Sequence, residues 1–198
     1  MRTWFERMAS IPGLAFTGSP GVVRDQLPGA SVRPDESYST PMWPTAEGST
    51  SATPASQHVP FDARGAEHLA SVWEALELPG SAMDYHFVLQ SAVDRLWSDR
   101  RSYAAGLEML EVFAELDLQL MEAAPQAVSF DEDVRPETFV RVTSVPRLIS
   151  LLEREGAFTE ALALARRLAP FRQGEDVVER LLEKTEALAT ESAAGGLV

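Results

Sequence analysis

The sequence predicts an all-α fold made of antiparallel helical hairpins, as a helical array or a bundle, with an irregular N-terminal arm. Apolar residues recur at helical spacing from about residue 62 onward, and a helical-elbow pattern occurs twice. Pro, Gly, Ser and Thr dominate the stretch before them. We therefore divide the chain into an arm over residues 1–60, a helical domain over 61–192 and a flexible tail over 193–198.

The arm contains most of the 13 prolines of the chain, and its composition is typical of a linker. Residues 2–9 alone have a helical pattern, with Trp4, Phe5 and Met8 on one side. Such a short helix is not stable in isolation. We expect it to cap the core; the alternative is a peptide that inserts into a groove of its own body or of a partner.

Six helices are predicted after the arm, with boundaries set by Pro, Gly and capping residues. They run from about Asp62 to Leu78, Ser81 to Asp99, Tyr103 to Ala123, Pro136 to Glu155, Ala161 to Ala169, and Glu175 to the tail. Pro146 either kinks the fourth of them or restarts it after Ser144. The first shows the i, i+3, i+4, i+7 spacing of one apolar stripe at Leu69, Val72, Trp73 and Leu76.

Two helix starts have clear local chemistry. Ser81 stands three residues before Asp84, which predicts a capping box in which each side chain pairs with a backbone amide. Glu175 and Asp176 follow Gly174 and place negative charge at the positive end of the last helix. The apolar stripe of that helix is expected to close the helical array, and its exposed remainder could instead join two chains as a homo-oligomer.

The segment from Leu151 to Leu162 predicts the tight elbow of a helical hairpin. Its order of large, large, aromatic, small and large residues recurs 55 positions earlier, where Tyr103 corresponds to Phe158 and Gly106 to Ala161. A small residue at this place lets two helices approach closely.

The motif Gly156-Ala157-Phe158-Thr159-Glu160-Ala161-Leu162 resembles a tetratricopeptide-type (TPR-like) helical hairpin. The resemblance covers about residues 81–192 and implies stacked hairpins whose first helices line one binding face. The offset of 55 exceeds the usual 34-residue period of that family. Arg101 stands where the motif has Gly156, and a third copy is not visible. A plain helical bundle with two similar turns is the alternative.

The charge of the chain limits its partners. Residues 1–60 carry four Arg against five Asp and Glu, so residues 61–198 hold −12 of the net −13. A nucleic-acid partner is disfavoured because phosphates would be repelled, whereas a basic protein partner is compatible. The chain lacks both cysteine and a long apolar run, which predicts no membrane association and a cytoplasmic protein. Sixteen Arg against one Lys suggest a bacterial source.

Catalytic and cofactor motifs are not recognisable in the sequence. The three histidines, His58, His68 and His86, lack the i, i+3 or i+4 spacing of paired ligands on a helix, so we expect them at the surface. Neither a nucleophile elbow nor a phosphate-binding loop is present. We therefore predict no enzyme activity, no metal and no cofactor.

The remaining interpretation is a protein-interaction module, an adaptor or assembly component that binds a protein segment on a helical surface. The candidate binding residues lie on the first helix of each hairpin: Tyr85, Gln90, Asp94, Arg95, Arg141, Arg147 and Arg154. Arg–carboxylate pairs would hold the segment. The alternative is a small acidic inhibitor, such as an immunity protein or antitoxin, that covers a basic site of its partner.

Overall fold

A computed structural model describes most of the helical part of the chain and short pieces of the arm. The described residues are 31–34, 39–45, 48–50, 52–78, 80–129, 134–135 and 139–195. Side chains are described from residue 52 to residue 188 within these ranges. The helix predicted over residues 2–9 lies outside the described residues.

Within the described residues the structure has seven α-helices, and the predicted all-α class is confirmed. In chain order they are α1 (Pro54–His58), α2 (Gly65–Glu77), α3 (Ala82–Asp99), α4 (Gly106–Ala123), α5 (Ser144–Arg154), α6 (Phe158–Leu168) and α7 (Glu175–Gly195). Short 3-10 turns, Pro125–Val128 and Ala169–Phe171, follow α4 and α6. None of these helices is long and apolar enough to cross a lipid bilayer.

Three short strands lie in the arm, where the sequence predicted irregular structure. They are β1 (Ser31–Pro34), β2 (Ser39–Thr45) and β3 (Gly48–Thr50), paired antiparallel in the order β1-β2-β3. Ser31 is opposite Met42, and Trp43 is opposite Thr50. Prolines within β1 and β2 hide this pattern in the sequence, because proline cannot donate to a strand ladder and argues against a strand.

The predicted capping box is confirmed at the start of α3. Ser81 Oγ accepts a hydrogen bond from the Asp84 amide at 3.3 Å, and Asp84 Oδ2 accepts one from the Ser81 amide at 2.8 Å. Three other helix starts differ from the prediction, and α2 and α4 among them begin three residues later than expected, at Gly65 and Gly106. α5 begins at Ser144, as in the alternative in which Pro146 restarts the helix, so Pro146 lies in its first turn, where a missing amide costs little. α6 begins at Phe158, three residues earlier than expected.

The two elbows differ in backbone geometry. Gly156 has a φ of 76°, and the amides of Gly156 and Ala157 donate back to the end of α5, which closes a three-residue turn. The first elbow spans residues 100–105 without a left-handed residue, since Arg101 replaces the glycine. The structure contains the hairpins α3–α4 and α5–α6, whose turns do not match, and the TPR-like resemblance stays a prediction.

The helices pack in chain order around one core. α3 pairs with α4 and α5 with α6, while α5 also contacts α3 and α4 and α7 covers α6. Trp73 of α2 packs against Phe113 of α4, with 5.0 Å between ring centroids. α1 belongs to this body, because Ala55 is fully buried beside Gly80, so the helical domain begins before the predicted boundary at residue 61.

Ion pairs between helices add directional contacts at the edge of the core. Arg167 of α6 makes paired hydrogen bonds to Glu122 and to Glu115 of α4, at 2.7 to 2.9 Å, and the bonds to Glu122 raise the pKa of this guanidinium. Arg180 and Lys184 of α7 both bind Glu153 of α5. α7 continues to Gly195, past the predicted start of the tail, and residues 196–198 lie outside the described residues.

Substitution of Gly106 tests whether the first elbow requires a small residue. A Cβ at this position would lie 2.8 Å from Tyr103 Cδ1 and 2.9 Å from Leu96 Cδ2. We expect Gly106→Val to lower the free energy of unfolding by about 1–3 kcal/mol through overpacking, measured by urea denaturation. Ala105→Val, at the exposed neighbouring position, is the control and should change stability by less than about 0.5 kcal/mol. Equal effects would contradict the packing role of Gly106.

Candidate functional site

The strongest candidate site is the surface where α3 and α5 meet, which we call the Trp97 face. It comprises Gln90, Asp94, Trp97, Arg100, Arg147 and Arg154. α3 and α5 are the first helices of the two hairpins, and their contact brings together side chains that are far apart in the sequence. Four of the seven residues predicted from the sequence belong to this face.

Polar contacts fix the start of α5 against α3. Gln90 Oε1 accepts a hydrogen bond from the Thr143 amide at 2.7 Å, and Asp94 Oδ2 accepts one from Thr143 Oγ1 at 2.8 Å. Arg147 Nε donates to Asp94 Oδ1 at 3.3 Å. The loop before α5 is thus anchored by two side chains that lie one helical turn apart on α3.

Three guanidinium groups surround the Trp97 indole. The guanidinium carbons lie 4.5 Å from the ring centroid for Arg100, 5.1 Å for Arg154 and 5.4 Å for Arg147. Each such cation–π contact contributes about 0.5–1 kcal/mol at an exposed site. Trp97 itself is nearly buried, whereas Arg154 is exposed and Arg147 half-exposed. The face therefore presents positive charge around an aromatic platform, on a chain with a net charge of −13.

The other three predicted residues lie elsewhere. Tyr85 is fully buried and its hydroxyl donates to the Leu78 carbonyl at 2.8 Å, so its predicted place on the surface is corrected. Burial raises the pKa of this phenol. Arg95 points to the loop before α2 and donates to the Phe61 carbonyl at 2.8 Å. Arg141 is exposed in the segment before α5 and lines an adjoining cleft with Gln173, which Arg147 of the Trp97 face also lines.

A fully buried polar network lies behind this face. His86 Nδ1 of α3 pairs with Asp117 Oδ1 of α4 at 2.7 Å, and Ser144 Oγ of α5 donates to Asp117 Oδ2. All three residues are completely excluded from solvent. In a nucleophilic triad the hydroxyl bonds to the imidazole. Here it bonds to the carboxylate, so the arrangement joins three helices rather than activating the serine.

The expected surface position of the histidines is wrong for two of the three. His86 is fully buried, and His68 of α2 is 4 % exposed, with both ring nitrogens buried and without a hydrogen-bond partner among the described residues. Burial, and then the charges of Arg95 and Arg64, lower the pKa of His68, so its ring is neutral at neutral pH. His58 alone is partly exposed, and its Nε2 pairs with Glu74 Oε2 at 2.8 Å.

Neither metal ligation nor similarity to known proteins points to a further function. Within the described ranges, no three His, Asp or Glu side chains converge as metal ligands. In comparisons with known proteins, no family model matches the chain, and neither a curated protein nor a solved structure matches it. The fold and the site define a helical protein with an arginine-rich aromatic face.

The buried carboxylate of Asp117 should dominate stability. Asp117→Ala leaves the His86 and Ser144 side chains buried without their partner, and we expect a loss of about 3 kcal/mol or more in the free energy of unfolding. Glu74→Ala is the control, because its exposed ion pair with His58 is worth less than about 1 kcal/mol. Urea denaturation measures both. Similar losses for the two variants would contradict the structural role of Asp117.

His68 should make the protein less stable in mild acid. The imidazole pKa is lowered in the folded state and is about 6.5 in the unfolded chain. As the pH falls below about 6.5, the unfolded state therefore binds the proton first and stability is lost; above it, the contribution of the neutral ring is fully present. We expect His68→Leu to lose less stability than the wild type between about pH 7.5 and pH 5. Parallel losses in urea denaturation would refute this.

Proposed function

We propose that this protein is a non-catalytic interaction module, an adaptor or assembly component that binds an acidic protein segment on the Trp97 face. The observation that carries the proposal is the clustering of Arg100, Arg147 and Arg154 around Trp97. Trp and Arg are the residue types that most often dominate the energy of protein interfaces.

The chemistry of the face favours a partner with carboxylates. A guanidinium that stacks on an aromatic ring keeps N–H donors at its edge, and these match the two oxygens of a carboxylate. Arg154 is exposed and close to the indole, so it is the residue that we expect to make this contact first. Arg147 already pairs with Asp94, so it would divide its N–H donors between Asp94 and the bound segment and thereby position the segment.

Direct peptide selection tests the proposal. Random peptides displayed on phage are selected against the full chain, and we expect the enriched sequences to be rich in Asp and Glu. The affinity of the best peptide should fall at least about tenfold, or 1.4 kcal/mol, in the double variant Arg147→Gln with Arg154→Gln, measured by calorimetry. Arg166→Gln, an exposed arginine of α6, is the matched control and should bind as the wild type does.

An acidic inhibitor is the second candidate, and the net charge of −13 favours it. Such a protein would cover a basic site of its partner, and its rate of association would fall steeply with ionic strength. The same selection distinguishes the two, because an inhibitor of this type enriches Lys- and Arg-rich peptides. Affinity for those peptides would then be unchanged or increased by loss of Arg147 and Arg154, which would refute binding of acidic segments on the Trp97 face.

A further inference from the structure

A second recess lies on the other side of α3, between α1, α2 and the loop that joins them. This recess, which we call the His68 cleft, has a volume of about 340 Å³. That is within the lower range of small-molecule sites in proteins. It is lined by ten residues, of which Phe61, His68, Asp84, Phe87, Val88 and Arg95 matter here. It shares none of the residues of the Trp97 face.

Aromatic side chains at the cleft are more exposed than their chemistry favours. Phe61 is 90 % exposed and Phe87 is 39 % exposed, although both are large apolar side chains. Full burial of a phenylalanine side chain contributes about 1.5–3 kcal/mol relative to exposure. A ligand with an apolar body would gain part of this energy when it lies between the two rings and Val88.

The imidazole of His68 is a polar group at the same cleft. Its side chain lines the cleft, and neither ring nitrogen has a hydrogen-bond partner in the described part of the chain. A buried polar group without a partner costs about 1–3 kcal/mol. A neutral imidazole carries one N–H donor and one acceptor. Because both ring nitrogens are buried, an acceptor group of a ligand would recover this energy once the imidazole rotates to bring an N–H into the cleft.

The charged residues around the cleft bear on the sign of the charge that a ligand carries. Arg95 lines it, and Arg64 lies beside it, because both guanidinium groups donate to the Phe61 carbonyl, at 2.8 and 3.2 Å. Asp84 is the one carboxylate among the lining residues, and its Oδ2 accepts from both the amide and the hydroxyl of Ser81. Among the lining residues the cation Arg95 thus stands with one carboxylate that is engaged in helix capping, and Arg64 and Asp99 add one charge of each sign near His68.

We propose that the His68 cleft binds a small monocarboxylate with an apolar body. The carboxylate pairs with the guanidinium of Arg95 and accepts a hydrogen bond from the His68 ring, and the apolar body lies between Phe61 and Phe87. This is a ligand site separate from the proposed protein-binding face, and either can fail without the other.

Titration of the full-length protein with 3-phenylpropionate tests this inference. The ring nitrogens of the three histidines are followed by two-dimensional NMR of protein labelled with ¹⁵N in histidine. We expect a saturable shift of the His68 ring signals. 3-Phenylpropylamine, of nearly the same shape and opposite charge, should bind at least about tenfold more weakly. Equal affinity for the amine, or no saturable shift up to the solubility limit of the acid, would overturn the proposal.

Variants test whether the ligand binds in the His68 cleft. Arg95→Gln should reduce the affinity for 3-phenylpropionate at least about tenfold while the far-ultraviolet circular dichroism spectrum stays unchanged. Arg166→Gln, at an exposed arginine of α6, is the control and should bind the acid as the wild type does. Wild-type affinity in Arg95→Gln would refute the assigned carboxylate contact. The peptide Gly-Gly-Phe, which ends in phenylalanine, is titrated in the same way. If it binds more than tenfold tighter than the acid, the proposal of a small ligand is overturned in favour of a peptide end.

Discussion

The carboxylate of Asp117 in α4 accepts hydrogen bonds from His86 of α3 and Ser144 of α5, and the arrangement of both hairpins depends on it. Apolar contact is non-directional and would permit small sliding of one hairpin against the other. A buried carboxylate is tolerated when its partners are in place, so this network sets one register. The Trp97 face follows from that register, because it places Arg147 of α5 beside Asp94 of α3.

Much of the helical architecture could be predicted because its signals are local. Ser81 and Asp84 form the expected capping box, and Gly156 has the left-handed backbone that a short elbow requires. The start of α5 was ambiguous, because Pro146 is compatible with both a kink and a first turn. The strands of the arm were missed, since strand pairing depends on a partner segment and the prolines of β2 argue against it.

The candidate site was predicted in part, and helical geometry explains the difference. Gln90 and Asp94 are four residues apart and share a side of α3, whereas Tyr85 lies about 140° from Gln90 around the helix and points into the core. The burial of the two histidines had an available signal. His86 stands three residues before Leu89, and His68 stands four before Val72, so both lie on the apolar stripes of their helices.

Two structural groups occur among the arginines whose side chains the structure describes. Arg167 and Arg180 pair with carboxylates of neighbouring helices, and their charge is used to hold α6 and α7 in place. Arg100 and Arg154 instead lie over the ring of Trp97, and Arg95 lies 5.9 Å from the ring of Phe61. An aromatic partner neutralises no charge and leaves guanidinium donors at the edge of the stack. Positive charge that is positioned but not neutralised, on two sides of α3, is what an anionic group requires for recognition, and this links both proposed sites to one helix.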